Sequence, residues 1–240
     1  PTLKRTPLQI FIPFITGLFF NGQNKSLSRR VAEHHYDLGN TFYQSMLDPY
    51  MQYTCGYFPQ GNETLDQAQI YKLDLVCKKI GLSPKNSFQE KSVIELGSGF
   101  GGFAKFSTER YNCRVNCYNT SEEQITFSRG FTRGLPVLIR AADYRDARYI
   151  EQKNSVDTIV SIGLCEHVGD KNYKNLMGTA YHCLKDEGLF LLHTIGRHTS
   201  ASSSYADSWI TRYIFPGGHL PSAQQIHKAA EGYFRAEHMQ

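Results

Sequence analysis

A glycine-rich stretch, VIELGSGFGG at Val93–Gly102, has the residue types of a turn that lets the backbone approach a bound cofactor. It begins with an apolar run and leads into helical spacing at Phe103, Phe106 and Tyr111. A strand followed by a glycine turn and a helix N-terminus presents free N–H groups to a ligand. No Lys-Ser/Thr pair follows the glycines, so the stretch is not a phosphate-binding P-loop. The sequence therefore predicts a cofactor at the C-terminal end of this strand.

Two further side chains could hold or move a proton. Glu166 follows the apolar run Val156–Ile162, and His193 lies within a second apolar run, LFLLHTI. Taken singly, a polar strand end and a satisfied core histidine are the ordinary interpretations. The C-terminal ends of parallel strands meet at one edge of a sheet, where open α/β folds collect their ligands. We therefore expect both side chains close to the glycine turn.

Short apolar runs that alternate with polar helical stretches indicate the elements that hold these residues. This rhythm is typical of βαβ units and a parallel sheet. The predicted strands are Ser92–Leu96, Arg114–Tyr118, Val137–Ala141, Val156–Ile162 and Leu189–Ile195, with a strand start at Tyr233–Arg235. Spacing at Leu65, Ala68, Tyr71, Leu75, Cys77 and Ile80 predicts a helix from about Thr64 to Gly81. We divide the chain into an N-terminal helical segment over residues 1–85, an α/β core over 86–198 and a helical insertion with the start of a sixth strand over 199–240.

Composition excludes several classes of protein. The 26 basic and 22 acidic residues give a net charge of +4, too small to indicate nucleic-acid binding. Six scattered cysteines favour a reduced setting rather than a disulfide framework, and nine histidines without a clustered motif predict no metal site. The most apolar segment, Leu8–Phe20, is interrupted by Pro13 and Gly17 and is too short to span a bilayer. We expect it to form a broken helix that packs on the domain or dips into lipid.

The glycine stretch and six further segments carry a family resemblance. The ExGxGxG form that starts at Glu95 resembles motif one of class I methyltransferases. The other segments resemble, in order along the chain, the motifs of cyclopropane fatty acid synthases. They are EHHYDLGNTFYQSMLDPYMQYTCGYF at Glu33–Phe58, NTSEEQ at Asn119–Gln124, ADYRD at Ala142–Asp146, SIGLCEHVGDKNY at Ser161–Tyr173, LLHTIG at Leu191–Gly196 and WITRYIFPGGHLPS at Trp209–Ser222.

The resemblance implies a Rossmann-like class I methyltransferase fold that binds S-adenosylmethionine. Its central sheet would be mostly parallel, with N-terminal helices and a helical insertion covering a lipid site, and its C-terminal strands would be cut short at Gln240. The implied cofactor contacts run from the N-terminal helices to the methionine end, the ribose edge and the adenine pocket. In that order they are Tyr53 and Thr54; Gly97, Gly99 and Phe100; Asn119, Thr120 and Gln124; and Asp143, Tyr144 and Ile162.

The implied reaction adds a methylene group to a cis double bond in an unsaturated phospholipid acyl chain. In the family a bound bicarbonate is thought to serve as the base. The matching positions for holding it are Glu166, His193 and the main chain at Cys55 and Ile195. Glu166 would be protonated, or share a proton with the anion. The resemblance also implies a cytoplasmic protein at the inner face of the membrane, without a transmembrane span and without nucleic acid as a partner; a homodimer is left open.

Two departures from the family pattern keep alternatives open. Phe100 stands where the family typically has Trp, and the chain ends at Gln240, before a further helix and a seventh strand that carries a bicarbonate-holding Tyr. One alternative is a fatty-acid C-methyltransferase, and another is a small-molecule N-methyltransferase, because plant alkaloid enzymes have similar HYD and FPGG motifs. A third is a catalytically incomplete lipid- or cofactor-binding protein.

Overall fold

The computed structural model describes residues 39–85, 87, 89–198 and 218–240. The helix expected within Leu8–Phe20 and most of the insertion expected after residue 198 lie outside these residues, so they remain predictions.

The described residues contain one five-stranded sheet in which every pairing is parallel. The strand order is β3-β2-β1-β4-β5. The strands are β1 (Lys91–Leu96), β2 (Cys113–Asn119), β3 (Val137–Ala141), β4 (Val156–Ile162) and β5 (Leu184–His193). The order reverses direction between β1 and β4, which makes the boundary between them the switch point of the sheet. Open α/β sheets bind ligands at the switch point, outside the carboxyl ends of the strands.

Helices connect these strands and cover both faces of the sheet. They are α1 (Asn40–Met46), α2 (Leu65–Lys79), α3 (Gly102–Arg110), α4 (Glu122–Phe131), α5 (Ala147–Ile150), α6 (Cys165–Val168), α7 (Tyr173–Cys183) and α8 (Ala223–Ala230), with short 3₁₀ turns at Tyr144–Asp146 and Asp170–Asn172. The sequence prediction for α2 is confirmed, because Thr64 caps it in a reciprocal capping box with Gln67.

Two apolar clusters make up most of the core. One joins α2 and α3 to a face of the sheet through side chains such as Leu73, Phe103 and Val115. The other joins α7 and α8 to the sheet through residues that include Leu176 and Ala229. This doubly covered parallel sheet confirms the predicted Rossmann-like α/β fold class. The division at residues 85 and 198 stays a prediction, although α2 shares its core with β1 and α3.

Four of the five predicted strands match the structure to within a residue at each end, whereas β5 differs. It begins at Leu184 rather than Leu189 and ends at His193 rather than Ile195. Its first residue, Leu184, pairs with Val156 of β4, and a register shift separates this pairing from the next one, between Thr158 and Leu189. The residues within the shift include Lys185–Glu187, which are exposed and carry no apolar alternation, so the sequence pattern could not detect them.

The predicted strand start at Tyr233–Arg235 is wrong. The N–H groups of Tyr233 and Phe234 both donate to the Ala230 carbonyl, which makes this stretch a turn after α8. The ring of Phe234 then packs against Phe190 of β5, with 5.6 Å between ring centroids. Local turn hydrogen bonds and aromatic packing therefore replace the expected strand pairing.

Candidate active site

The glycine turn after β1 meets the loop after β4. Gly97, Gly99 and Gly101 all have positive φ angles, of 78°, 52° and 81°, a region that favours glycine. A Cβ on Gly97 would lie 2.9 Å from the Leu164 Cβ, whereas a Cβ on Gly99 would meet nothing within 4 Å. Gly97 therefore permits close packing, and Gly99 leaves backbone facing open space.

Asn119 and Gln124, predicted to face the ribose, support the glycine turn from behind. The Asn119 amide donates to the Gly99 carbonyl at 2.8 Å and to Gln124 Oε1 at 3.1 Å. Its oxygen accepts from the Ser121 N–H at 3.0 Å. Both side chains are buried, and the half-buried Thr120 lies between them in the chain. Their contact with a cofactor stays a prediction; what the structure shows is a hydrogen-bonded buttress.

Phe100 and Tyr53 lie around one aromatic cluster. The Phe100 ring is buried, with ring centroids 5.3 Å from Tyr43 and 5.4 Å from Phe127. Tyr43 also contacts Tyr53 edge-on at 5.5 Å, and Tyr53 itself is exposed. The Phe100 side chain thus points into the core, and only its main chain belongs to the surface of the turn.

The residues predicted for the adenine pocket lie after β3 and at the end of β4. Asp143 accepts hydrogen bonds from the Arg145 N–H at 2.9 Å and from its guanidinium at 3.0 Å. The guanidinium in turn lies 4.7 Å from the Tyr144 ring centroid, and burial raises the pKa of Tyr144 to about 12. Ile162 is half-buried at the C-terminal end of β4. Asp143 thus fixes its own loop, and its predicted ligand role stays untested.

The four residues predicted to hold the anion meet as two pairs, Glu166 with Ile195 and His193 with Cys55. Glu166 Oε1 accepts a 2.7 Å hydrogen bond from the Ile195 N–H, and His193 Nε2 lies 3.5 Å from the Cys55 Sγ. Among the described residues, Glu166 Oε2 and His193 Nδ1 are buried and have no hydrogen-bonding partner. Buried polar atoms without partners are uncommon and mark places reserved for a ligand, an ion or water. The sequence predicts that the main chain at Ile195 holds the anion, whereas in the structure its N–H donates to Glu166.

Burial shifts the pKa of both ionisable side chains of this cluster in the direction that favours the neutral form. It raises the pKa of Glu166, which favours the protonated carboxyl. It lowers the pKa of His193, and the nearby Lys72 ammonium lowers it further. A protonated carboxyl and a neutral imidazole can both bind a small anion without charge repulsion.

Three separate parts of the chain meet at the switch point between β1 and β4. A Cβ on Gly163, just after β4, would lie 2.7 Å from Thr54 Cγ2. Leu164, the next residue, packs against Gly97, and Glu166 follows two residues later. The segment before α2, the glycine turn and the β4 loop therefore form one continuous site.

Sequence reasoning missed one charged residue near this site. Lys72 of α2 is buried, and its ammonium donates to Thr54 Oγ1 at 2.8 Å. Its spacing of four residues from Ala68 and from Val76, both buried, is a signal that could have revealed it. The predicted apolar face instead included Leu65 and Tyr71, which are exposed.

Three further properties of the structure concern the cysteines, metal ligands and long apolar helices. None of the six cysteines forms a disulfide. Within the described ranges, no group of three or more His, Cys, Asp or Glu side chains could hold a metal ion. The helices described are also all too short or too polar to cross a membrane.

Comparison with known proteins places this site in a family. A family model described as mycolic acid cyclopropane synthetase matches residues 23–240. The cyclopropane-fatty-acyl-phospholipid synthase of Escherichia coli strain K12 is 40% identical over 218 residues, which cover 91% of this chain and 54% of that protein. The chain thus spans about half the length of this relative.

Solved structures agree with this assignment. The mycolic acid cyclopropane synthase CmaA1, in complex with SAH and CTAB, is 28% identical with a TM-score of 0.75, covering 88% of this chain and 76% of that chain. Coclaurine N-methyltransferase, bound to N-methylheliamine and SAH, is also 28% identical, with a TM-score of 0.68 over 85% of this chain and 58% of that chain. The chain belongs to the mycolic acid cyclopropane synthetase family.

Proposed function

We propose that the protein transfers a methylene group from S-adenosylmethionine to the cis double bond of unsaturated phospholipid acyl chains, forming cyclopropane fatty acids. The observation that carries this proposal is the convergence of Glu166 and His193, each with a buried unpartnered polar atom, beside the glycine turn. The E. coli relative is named for the same reaction on phospholipids, and the solved CmaA1 structure contains SAH.

The residues of the glycine turn fit S-adenosylmethionine. Gly99 has a positive φ and open space above its Cα, so its backbone can approach a ligand closely. The main chain at Gly97 and Phe100 would hold the methionine end, with Tyr53 and Thr54 closing over it. Asn119 would act mainly by holding the turn, because its amide donates to the Gly99 carbonyl, and Gln124 would act by accepting from Asn119. When bound, the cofactor supplies an electrophilic methyl group on a sulfonium centre.

The residues around the turn determine whether such a methyl group can be used productively. An alkene is a weak nucleophile, so positioning it against the methyl group accounts for much of the rate. The positive charge that develops on the acyl chain must be kept from water. Exposed aromatic side chains near the site, Phe42, Tyr53, Tyr57 and Phe58, provide apolar surface and ring faces that favour a cation.

A proton must then leave the new methyl group before a ring can close, and Glu166 and His193 are placed to manage it. Bicarbonate supplies a base when it is bound between them. The unpartnered Glu166 Oε2 and His193 Nδ1 are polar atoms that could hold such an anion. The Ile195 N–H would act through Glu166, by fixing its other oxygen at 2.7 Å. The main chain at Cys55 would add a donor, as in the sequence prediction.

The proposal includes the setting in which the protein works. Its substrate would be reached at the surface of the membrane, at the cytoplasmic face, without a membrane span. Exposed apolar side chains between α1 and α2, such as Tyr57 and Phe58, support contact with lipid. A homodimer is left open.

The main competing function is methylation of an amine, since coclaurine N-methyltransferase shares the fold at 28% identity. An amine has its own lone pair and needs no base near the transferred methyl group. The buried atoms without partners among the described residues, Glu166 Oε2 and His193 Nδ1, therefore favour the alkene reaction.

The test is a direct comparison of products. Purified protein is incubated with S-adenosylmethionine and bicarbonate, with either vesicles of unsaturated phosphatidylethanolamine or an alkaloid-type amine. Mass spectrometry of the acyl chains should show one added methylene with loss of the double bond. Product only from the amine would overturn the proposal, and a methyl branch without a ring would favour the fatty-acid C-methyltransferase.

A further inference from the structure

Residues 48–55, the stretch between α1 and α2 that carries Tyr53, Thr54 and Cys55, are held by an unusual number of buried polar contacts. Asp48 is buried, and its carboxylate accepts from the N–H groups of Tyr50 at 2.8 Å and Gln52 at 2.7 Å. Met51 between them has a left-handed φ of 55°, which is costly for a residue with a side chain. The stretch therefore needs external support to keep this conformation.

Two polar side chains from one face of α2 provide that support. Gln69 Nε2 donates to the Thr54 carbonyl at 2.7 Å, and Lys72 Nζ donates to Thr54 Oγ1 at 2.8 Å and to Gln52 Oε1 at 2.7 Å. Gln69 and Lys72 lie three residues apart, so they project from the same side of the helix. Both are buried, with only 2% and 3% of their surface exposed.

Burying a lysine is expensive, and packing alone does not explain it. Burial lowers the pKa of Lys72 to about 8, and the nearby Asp48 carboxylate partly offsets this effect. An apolar side chain of similar length would fill the same space without desolvating a charge. What the ammonium adds is directional bonding to residues 52 and 54, on either side of Tyr53.

We propose that Gln69 and Lys72 are positioning residues that hold residues 48–55 in the shape that places Cys55 against His193 and Thr54 against Gly163. This inference rests on the proposed function, because it assigns the two residues to the same site. Neither is proposed to touch the acyl chain. Their effect passes through Thr54 and Gln52.

The experiment uses Lys72→Met, Gln69→Leu and a matched control, Lys78→Met. Lys78 lies on the same helix, but its side chain is 68% exposed and pairs with Asp74 at 2.6 Å. Hydrogen exchange detected by mass spectrometry reports on peptides that cover residues 51–58. The turnover number and the KM for S-adenosylmethionine are measured on the same preparations, together with SAH affinity and thermal unfolding.

We expect both α2 variants to exchange residues 51–58 about tenfold faster or more, the effect of losing a buried or charge-assisted hydrogen bond. Turnover should fall by about 10²-fold through misplacement of the site, with a smaller change in KM. Lys78→Met should match the wild-type protein in both measurements. Gln69→Leu keeps the test open if Lys72→Met fails to fold, because it removes a different bond to the same residue.

Two outcomes overturn the inference. One is unchanged exchange over residues 51–58 in folded variants; the other is faster exchange with turnover and SAH affinity equal to those of Lys78→Met. A wild-type protein that binds no SAH and modifies no lipid would instead overturn the proposed function. The exchange measurement is independent of turnover, so the two failures are distinguishable.

Discussion

The two sides of the candidate site differ in the kind of buried polar atom that lacks a hydrogen-bonding partner within the part of the chain that the structure describes. On the glycine-turn side that atom is a neutral hydroxyl, Ser98 Oγ, while the Asn119 amide donates to the Gly99 carbonyl and to Gln124. On the opposite side, Glu166 and His193 each keep a buried atom without a partner among the described residues. A satisfied network costs little and rigidifies the fold, whereas an unsatisfied one is retained at a cost in stability. The comparison indicates a prebuilt cradle on one side and the reacting groups on the other.

The test with the largest expected effect changes only Glu166 and His193. Glu166→Gln and His193→Gln should each lower the rate of methylene transfer by ~10²–10³, by analogy with the loss of one preorganised oxyanion donor. SAH affinity should change little, because neither side chain belongs to the glycine turn. Turnover is measured with and without added bicarbonate, and SAH binding by calorimetry. Full activity in both variants without bicarbonate dependence would contradict the assignment.

Glu95 is a buried ionisable group on the glycine-turn side, and it allows a test by pH. Burial raises its pKa from 4.5 to about 8, although the Cys117 thiol lies 3.5 Å away as a donor. The folded protein therefore keeps a proton that the unfolded chain releases. Between these two pKa values the free energy of unfolding should fall as pH rises, by up to about 1.4 kcal/mol per pH unit from this group.

Glu95→Gln should remove that contribution, so the variant gains stability relative to wild type as pH rises from 5 to 8. Urea unfolding across this range measures the difference between the two proteins. A constant difference would show that Glu95 is ionised in the folded state and that the cradle contains a paired charge.

Two glycine substitutions separate the packing role of Gly97 from the ligand-binding role proposed for Gly99. Gly97→Ala and Gly99→Ala each add a side chain at positive φ, which costs about 1–2 kcal/mol. Only Gly97→Ala also meets Leu164, at 2.9 Å, so it should lose more stability. Gly99→Ala places its methyl group in the open space above the turn and should weaken SAH binding about tenfold, or ~1.4 kcal/mol. Calorimetry and urea unfolding are run on both variants; unchanged affinity in Gly99→Ala would move the cofactor away from the turn.

A further test concerns Asn119, the buttress behind the turn. Asn119→Ala leaves the Gly99 carbonyl and Gln124 without their donor, and should cost about 1–3 kcal/mol of unfolding free energy. Asn62→Ala, in an exposed turn, is the control and should change stability little. A loss of SAH affinity without a loss of stability would show instead that Asn119 contacts the ligand directly.

Much of the fold follows from local patterns. Apolar runs bounded by turns predicted four strands closely, and the helical spacing that begins at Leu65 predicted the start of α2 near Thr64. The prediction failed where local pattern and tertiary context disagree. Tyr233–Arg235 is apolar and aromatic like a strand, but its rings pack against Tyr181 and Phe190.

The site shows the same division. Glu166, His193, Cys55 and Ile195 could be named from the sequence because they lie in motifs and at strand ends. Their contacts could not: the pattern gave no sign that the Ile195 N–H bonds to Glu166, or that the Cys55 thiol approaches His193. Lys72 was not predicted as a site residue, because it belongs to the site through its burial and its bond to Thr54 rather than through its residue type.

The positions of four strands along the chain and the glycine turn were determined by the sequence alone, since backbone propensity and apolar periodicity act over a few residues, and the ordered motifs indicated the family. Only the tertiary structure decided which buried polar atoms find partners. Hydrogen-bond satisfaction depends on residues such as Gln52 and Lys72, 20 positions apart, that meet only once the chain has folded. The contacts made on folding explain why Asn119 supports the glycine turn, why the Phe100 ring is buried and why one Glu166 oxygen has no partner among the residues described. Local sequence patterns contain no information about these contacts.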